Sequence, residues 1–512
     1  MANGEESESL HRASPHALLL PFPAQGHVIP LMELAKHLCA RGVDVTFASQ
    51  HDIHIKLLRS WKGHSDSWSL HSSIQLRCIP EMLPSESEGA SPSNWLKALE
   101  HGSFELLRVL ESEGRPVSCI VGDFLLGWTS SLARRASIPD WVFCPTNASV
   151  LAMYLDLNSV ISCGYDPFQS CGSAPIEPSD SQRASHVAEF PLGVTTAVFP
   201  IKAPFGKRMY DWMEEVLLEC VNRIAEAKLG VLCNTTVALE ENVLQVLHSR
   251  IRKGESTHHN RFFRMIGPLV TNAAAEHKAS RASFWQEERD ECMEWLDKQP
   301  PASVVYVAFG SLKVLTLPQL HEVLLGLIAS SHRFLMVVRP NTVVSESYGM
   351  SDIYWEAQDG DVVPLEKALP PGFSSPDQQR LYKIVSWAPQ TWVLEHPSVG
   401  GFFSHCGWNS TLESLWCGVP ILGWPWIMDQ VTNCWLLSSV WNVGISLQCN
   451  ERGEASRNEV ESGVRQLMGG AATDKLRAQA REIKDKIREA ALHNQEITSL
   501  VEEIGSVSRF NP

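Results

Sequence analysis

The stretch that decides the fold runs from Trp387 to Gln430 and reads WAPQTWVLEHPSVGGFFSHCGWNSTLESLWCGVPILGWPWIMDQ. Two short apolar runs, 400–404 and 420–424, are separated by a helical pattern, which is the alternation that builds a parallel sheet. The first run turns directly into that helix, for which Asn409 or Ser410 is the predicted N-cap. A helix that begins after a strand offers free N–H groups and the positive end of its dipole to a phosphate.

Side chains around this turn suit a nucleotide sugar. His405 and the Ser410 hydroxyl add hydrogen-bond donors for a phosphate. Trp387, just past a strand end, offers a flat face to an aromatic base, and Glu413 can accept hydrogen bonds from ribose hydroxyls. The acid and amide pair Asp429-Gln430 opens another helix and suits the hydroxyls of a sugar.

The alternation of strands and helices extends in both directions and restarts after a small, polar stretch. It predicts an α/β protein with two Rossmann-like, doubly wound domains that face each other across a cleft. The predicted division is a disordered tail 1–14, an N-terminal domain 15–270, an interdomain linker 271–283, a C-terminal domain 284–475 and C-terminal helices 476–512 that pack back on the N-terminal domain.

Composition limits the kinds of partner that the chain is expected to bind. The chain has 512 residues and a net charge of −15, from 43 Lys+Arg and 58 Asp+Glu, so its overall field repels nucleic acid and acidic membranes. Its 13 cysteines form no CxxC pair, which indicates a reducing compartment. The first apolar run, 17–22, is too short for a signal peptide or a membrane span, so a cytoplasmic location without membrane insertion is expected.

The segment Trp387–Gln430 resembles the donor-binding box of the plant family 1 UDP-glycosyltransferases, with WAPQ, HCGWNS, E, GVP and DQ at the expected spacing. The resemblance extends beyond the box. Pro21–His27 is similar to the N-terminal catalytic loop of that family, Asp123 to its acid, and Phe309–Ser311 to its second phosphate loop.

This resemblance implies a GT-B fold, in which a UDP-sugar binds the C-terminal domain and a small acceptor binds the N-terminal domain. It implies Trp387 and Ala388 for uracil, Gln390 and Glu413 for the ribose, Ser311, His405, Asn409 and Ser410 for the diphosphate, and Trp408, Asp429 and Gln430 for the sugar. A glutamine at the last position of the box goes with glucose in that family, so UDP-glucose is the expected co-substrate, without a cofactor or a metal.

A catalytic pair follows from the predicted strands. His27 lies in the loop after the first strand and Asp123 ends a neighbouring strand, so the two can approach each other. His27 would remove the proton of an acceptor hydroxyl, and Asp123 would hold the imidazole and stabilise the imidazolium. Attack opposite UDP inverts the anomeric carbon and gives a β-glucoside of a small lipophilic flavonoid, phenolic, terpenoid or hormone-type acceptor. Phe22, Phe124, Thr146 and Met153 are candidates for the acceptor pocket.

Three alternatives stay open. The same donor site could serve a C- or N-glucosyltransferase, or a catalytically silent protein that binds nucleotide sugars. Asp359-Gly360-Asp361 matches the DxD metal signature of another glycosyltransferase fold, but it lies in a polar loop rather than after a buried strand. Cys406 lacks a CxxC partner, so no metal site is predicted there. The sequence does not indicate an oligomeric state.

Overall fold

A computed structural model describes residues 14–62, 74–80, 92–157, 216–221, 224, 229–251, 263–270, 289–311, 313–340, 342–345, 362–370, 373, 380–450 and 452–507. The predicted linker 271–283 and the Asp359–Asp361 motif lie outside these residues. The predicted tail 1–14 also lies outside them, except for its last residue.

The N-terminal part contains a seven-stranded parallel sheet in the order β3-β2-β1-β4-β5-β6-β7. Its strands are β1 (His16–Leu20), β2 (Asp44–Ser49), β3 (Ile74–Cys78), β4 (Cys119–Asp123), β5 (Asp140–Cys144), β6 (Gly230–Cys233) and β7 (Phe263–Met265). The helices described here are Gln25–Cys39, His51–Lys62, Pro92–Ser112, Thr129–Ala136, Ala148–Leu155 and Val237–Ile251.

The C-terminal part contains a six-stranded parallel sheet in the order β12-β10-β8-β13-β14-β15, and β9 pairs with β11 separately. Its strands are β8 (Val304–Ala308), β9 (Leu315–Thr316), β10 (Arg333–Val337), β11 (Val343–Val344), β12 (Tyr382–Val385), β13 (Val399–Ser404), β14 (Ile421–Gly423) and β15 (Gly444–Ser446). The helices are Arg289–Asp297, Leu317–Ala329, Leu365–Ala368, Gln390–Glu395, Trp408–Cys417, Gln430–Trp435, Arg457–Met468, Ala471–His493 and Glu496–Val507, with a π-helical turn at Leu436–Val440.

The central strands are largely apolar because both faces of each sheet are covered. In β1, Leu18 and Leu20 pack into the core on one face, while Ala17 and Leu19 pack into the core on the other. All five residues of β4 and of β8 are buried in the same way. Strands that are buried on both faces appear in the sequence as continuous apolar runs, and the alternation of such runs with helical patterns predicted the doubly wound domains.

The last two long helices connect the domains. Helix Ala471–His493 packs its apolar stripe on the core of the second domain. Helix Glu496–Val507 instead inserts Leu500, which is fully buried, into the core of the first domain. Arg264 of the first domain forms an ion pair with Glu503 at 3.0 Å. The chain therefore passes into the core of the first domain between these two helices, within the predicted C-terminal segment 476–512.

Both sheets reverse their winding at one position. β1 lies between β2 and β4, and β8 lies between β10 and β13. In each sheet the next strands are added on one side of this strand, and the chain then crosses back to add the remaining strands on its other side. The carboxyl ends of the strands at such a switch point form a crevice that accepts ligands. His27 follows β1 and Asp123 ends β4, while Gly310 follows β8 and His405 follows β13.

Two further findings concern the environment of the chain. Among the described helices, none is long and apolar enough to cross a membrane. The 11 cysteines in the described part of the chain are all free thiols. The compartment stays a prediction.

Candidate active site

His27 and Asp123 are in contact at the first switch point. The Asp123 carboxylate accepts from His27 Nδ1, with distances of 2.9 and 3.1 Å to its two oxygens, and from the Leu125 backbone N–H at 2.9 Å. The Asp123 side chain is completely buried, whereas that of His27 is 22% exposed. Because Nδ1 is bonded to a carboxylate, the imidazole presents Nε2 as its free acceptor.

The surroundings of His27 favour its protonated form. Burial lowers the pKa of His27, but the negative charges of Asp123 and, more weakly, Asp429 outweigh burial and raise the pKa above its ordinary value. A base in this position gains a proton that the buried carboxylate then stabilises. Asp429 belongs to the other domain, so the two halves of the cleft meet at His27.

The helix Trp408–Cys417 begins at the second switch point. Its N-cap is Gly407, so the predicted N-cap at Asn409 or Ser410 is wrong. The reason is local: Cys406 takes a left-handed conformation and Gly407 an extended one, which starts the helix two residues early. With no side chain at the N-cap, the first N–H groups of the helix keep their capacity to bind an anion.

His405 fills the space between two glycines. A Cβ atom at Gly310 would lie 2.3 Å from His405 Nε2, and one at Gly407 would lie 2.4 Å from the same nitrogen. Nδ1 of this imidazole is buried and has no hydrogen-bond partner among the described residues. Burial, helped by the positive charges of Lys313 and Arg339, lowers the pKa of His405 to about 3, so the ring is neutral at physiological pH.

Ser311 and Lys313 follow β8 beside this imidazole. Ser311 is half-buried in the turn after Gly310. Lys313 is 6% exposed, and its amine lies 3.1 Å from the centroid of the Trp424 ring, without a hydrogen-bond partner in the described part of the chain. Burial holds the pKa of Lys313 well below its usual range. Lys313 was not predicted from the sequence, because a single lysine in a loop gives no signal of burial.

Three of the predicted base and ribose residues, Trp387, Ala388 and Gln390, follow β12, and Glu413 lies in helix Trp408–Cys417. Trp387 is half-buried and Ala388 is buried. The Gln390 amide donates to Ser410 Oγ at 2.8 Å and also to the Glu413 carboxylate. These three polar side chains therefore converge, although their contacts with a ribose or a diphosphate stay predictions.

Asp429 occupies the end of the cleft next to His27. It is the first residue before helix Gln430–Trp435, but its carboxylate accepts from Asn433 Nδ2 at 2.8 Å and from Thr146 Oγ1 of the other domain at 3.2 Å. Burial raises the pKa of Asp429, against the opposing effects of these two bonds and of His27. Gln430 is buried, and its amide oxygen accepts from two backbone N–H groups, Trp426 and Ile427.

Two predicted donor residues join the domains in this structure. The indole N–H of Trp408, which is 4% exposed, donates to the Asn234 carbonyl at 2.7 Å. Asn409 Nδ2 donates to the Gly26 carbonyl, next to His27, at 2.9 Å. The Trp408 ring is therefore part of the packing between domains, and a contact of Trp408 with the sugar stays a prediction. A contact of Asn409 with the diphosphate stays a prediction.

The predicted acceptor residues differ in how close they lie to His27 and in how deeply they are buried. The Phe22 ring lies 5.2 Å from that of His27 and 6.1 Å from that of Trp95, so it borders the catalytic pair. Phe124 stacks on Tyr154 at 5.8 Å and is 4% exposed. Met153 is wholly buried, and its place in the acceptor pocket stays a prediction. Trp95 and Tyr154 were missed because each lies in a helix whose apolar pattern is typical of core.

Comparisons with known proteins agree with this geometry. The family described as UDP-glucoronosyl and UDP-glucosyl transferase matches residues 369–474. UDP-glycosyltransferase 85A7 of Arabidopsis thaliana is 33% identical over 508 residues, which cover 95% of each chain. The 7-deoxyloganetin glucosyltransferase of Gardenia jasminoides is 31% identical, over 93% of this chain and 94% of its own length.

Among solved structures, Phytolacca americana UGT2 complexed with UDP-2fluoro-glucose and pterostilbene superposes with a TM-score of 0.72 and 26% identity. The match covers 97% of this chain and 100% of that one. This confirms the predicted GT-B fold of two Rossmann-like domains. Because the Arabidopsis and Gardenia relatives are 33% and 31% identical over more than nine tenths of the chain, the chain belongs to the plant UDP-glycosyltransferases, enzymes that transfer a sugar from a UDP-sugar to a small molecule.

Proposed function

We propose that this enzyme transfers glucose from UDP-glucose to a hydroxyl group of a small lipophilic acceptor, with inversion at the anomeric carbon. The observation that carries the proposal is the His27–Asp123 contact at the first switch point, where Asn409, at the start of helix Trp408–Cys417, bonds to the neighbouring Gly26. A silent binding protein would have no need of a buried carboxylate bonded to a partly exposed imidazole. The contact therefore favours catalysis over binding alone.

His27 is the proposed general base. Its Nε2 takes the proton of the acceptor hydroxyl as the oxygen attacks C1 of the sugar, and the C1–O bond to the diphosphate breaks with its electron pair going to UDP. Asp123 stabilises the imidazolium that results. A single displacement from the face opposite UDP converts an α-linked donor into a β-glucoside.

The departing diphosphate is the proposed ligand of the second switch point. The uncapped start of helix Trp408–Cys417, with the neutral His405 and the Ser311 hydroxyl beside it, provides hydrogen-bond donors without a fixed positive charge. Donors that are fixed before the reaction stabilise charge that develops in the transition state. Trp387 is the proposed platform for uracil, and Gln390 and Glu413 are the proposed ribose contacts.

Asp429 is the proposed contact for the sugar hydroxyls. Its carboxylate lies between the two domains and close enough to His27 to raise the pKa of the imidazole. The acceptor is proposed to lie against Phe22 and Trp95, whose rings border His27. Glucose as the sugar is supported by the glutamine at position 430 and by the glucosyltransferase name of the Gardenia relative.

The test is transfer from UDP-glucose to a panel of phenols and terpenoid alcohols, with products identified by mass spectrometry and the anomeric configuration by NMR. We expect β-glucosides, and acid hydrolysis of the product separates an O-glucoside from a C-glucoside. His27→Ala should lose about 10²- to 10⁴-fold in kcat, whereas the matched control His101→Ala, on an exposed helix face, should not. Near-normal turnover of His27→Ala would contradict the assignment of the base.

A further inference from the structure

Asn433 makes more contacts than its position in a helix requires. It lies one turn after Asp429 and is wholly buried. Its Nδ2 donates both to the Asp429 carboxylate at 2.8 Å and to the Cys406 carbonyl at 2.9 Å. Its Oδ1 accepts from Asn147 Nδ2 of the other domain. Both donors and the acceptor of one amide are thus satisfied by three different segments.

The orientation of this amide is fixed by its partners. Two acceptors, a carboxylate and a carbonyl, face one end of Asn433, and a donor faces the other. A flipped amide would place its oxygen against both acceptors, so only one orientation is compatible with the network. The network therefore specifies the position of Asp429 and not merely the packing around it.

The partner on the other domain is equally constrained. Asn147 is wholly buried, and its Oδ1 caps helix Ala148–Leu155 by accepting from the Val150 N–H at 2.8 Å. Its Nδ2 is left to reach across the cleft to Asn433. The cap fixes the Asn147 side chain, so the bond to Asn433 forms only when the two domains are in this relative position.

We propose that Asn433 is a positioning residue for sugar transfer, which holds Asp429 in place for the sugar and does so fully only when Asn147 closes the network from the other domain. The inference rests on the proposed sugar contact of Asp429. It assigns a separate task to Asn433: the alignment of the donor sugar becomes conditional on closure of the cleft over both substrates. The turn at Cys406 depends on Asn433 less, because Ser404 Oγ and Thr411 Oγ1 also hold its backbone.

The test is a double-mutant cycle between Asp429→Ala and Asn433→Ala, with kcat for UDP-glucose and the affinity for UDP measured on each variant. Asn433→Ala should lower kcat by about 10- to 100-fold, since small misplacements of a reacting group have effects of this size. In the Asp429→Ala background the same change should cost less than about twofold. UDP, which lacks the sugar, should bind all variants with little change. The control Asn458→Ala, on an exposed helix face, should match the wild type.

Asn147→Ser separates the cross-domain bond from the helix cap. Serine is a good N-cap but is too short to reach Asn433, so the helix should remain while kcat falls and UDP affinity does not. This variant also keeps the test open if Asn433→Ala does not fold. Additive effects in the cycle, or wild-type kcat for Asn147→Ser, would overturn the proposal. Wild-type kcat for Asp429→Ala would overturn it together with the proposed sugar contact, which distinguishes the two failures.

Discussion

Replacement of the buried carboxylate by its isosteric amide, Asp123→Asn, tests the catalytic pair most directly. The Asp123 side chain is fully buried and bonded to His27 Nδ1 at 2.9 Å. An amide can present its N–H₂ to the imidazole and then favours the tautomer in which Nε2 carries the proton, which disables Nε2 as a base. It also removes the charge that stabilises the imidazolium. A loss of about 10²- to 10⁴-fold in kcat is expected, by analogy with general acid–base and triad chemistry.

The pH dependence of kcat/KM tests in which direction Asp123 shifts the pKa of His27. The base is active when His27 is neutral, so kcat/KM rises with pH through the pKa of His27. Burial lowers that pKa and Asp123 raises it, so without the carboxylate the acidic limb should move to lower pH while the plateau falls. UDP affinity, measured by calorimetry, should be unchanged, because its proposed site lies on the other domain. The exposed Asp52→Asn serves as the matched control. An unchanged plateau, or a limb that moves to higher pH, would refute the reasoning.

Two further substitutions concern Lys313 and Gly310, which follow β8 beside His405. Lys313→Met should stabilise the protein at pH 7, because burial of the amine against Trp424 favours its neutral form. Below the ordinary pKa of lysine, unfolding of the wild type therefore takes up a proton, and the wild type gains stability as pH rises. The advantage of the variant should shrink accordingly, by at most about 1.4 kcal/mol per pH unit. Urea unfolding at pH 7 and pH 9 measures this, and a less stable variant at pH 7 would contradict it. Gly310→Ala should weaken UDP binding by about tenfold or more, since its Cβ would lie 2.3 Å from His405 and a left-handed residue with a Cβ costs about 1–2 kcal/mol. Gly42→Ala has the same backbone strain with open space around it, so calorimetry should show a matching loss of stability but normal UDP affinity.

The sequence predicted those parts of the fold and site that depend on one domain at a time. Strand ends carry His27 and Asp123 to neighbouring positions in one sheet, and this adjacency follows from the winding of β1 and β4. β13 and β14, the strands before and after helix Trp408–Cys417, are also found where the apolar runs predicted them. Periodicity and switch-point topology suffice for such features.

Contacts across the cleft were beyond the reach of the sequence. Asn147 and Asn433 are 286 positions apart, and their pairing depends on how the two domains close. The same holds for the bond from the Trp408 indole N–H to the Asn234 carbonyl, which no local pattern predicts. The misplaced N-cap has a different cause, because a left-handed Cys406 next to a glycine leaves no trace in propensities for helix starts.

The helix that carries His27, the proposed general base, gains its full packing only late in synthesis. Val28 and Leu31, on helix Gln25–Cys39, share a core with Leu500 and Ile504 of the helix that crosses back from the second domain. Until Ile504 has left the ribosome, this face of the first domain lacks its cover, although almost all of that domain has already emerged. Domains usually fold in the order of their synthesis. In this chain the first domain to appear can reach its native core only after the second has been made.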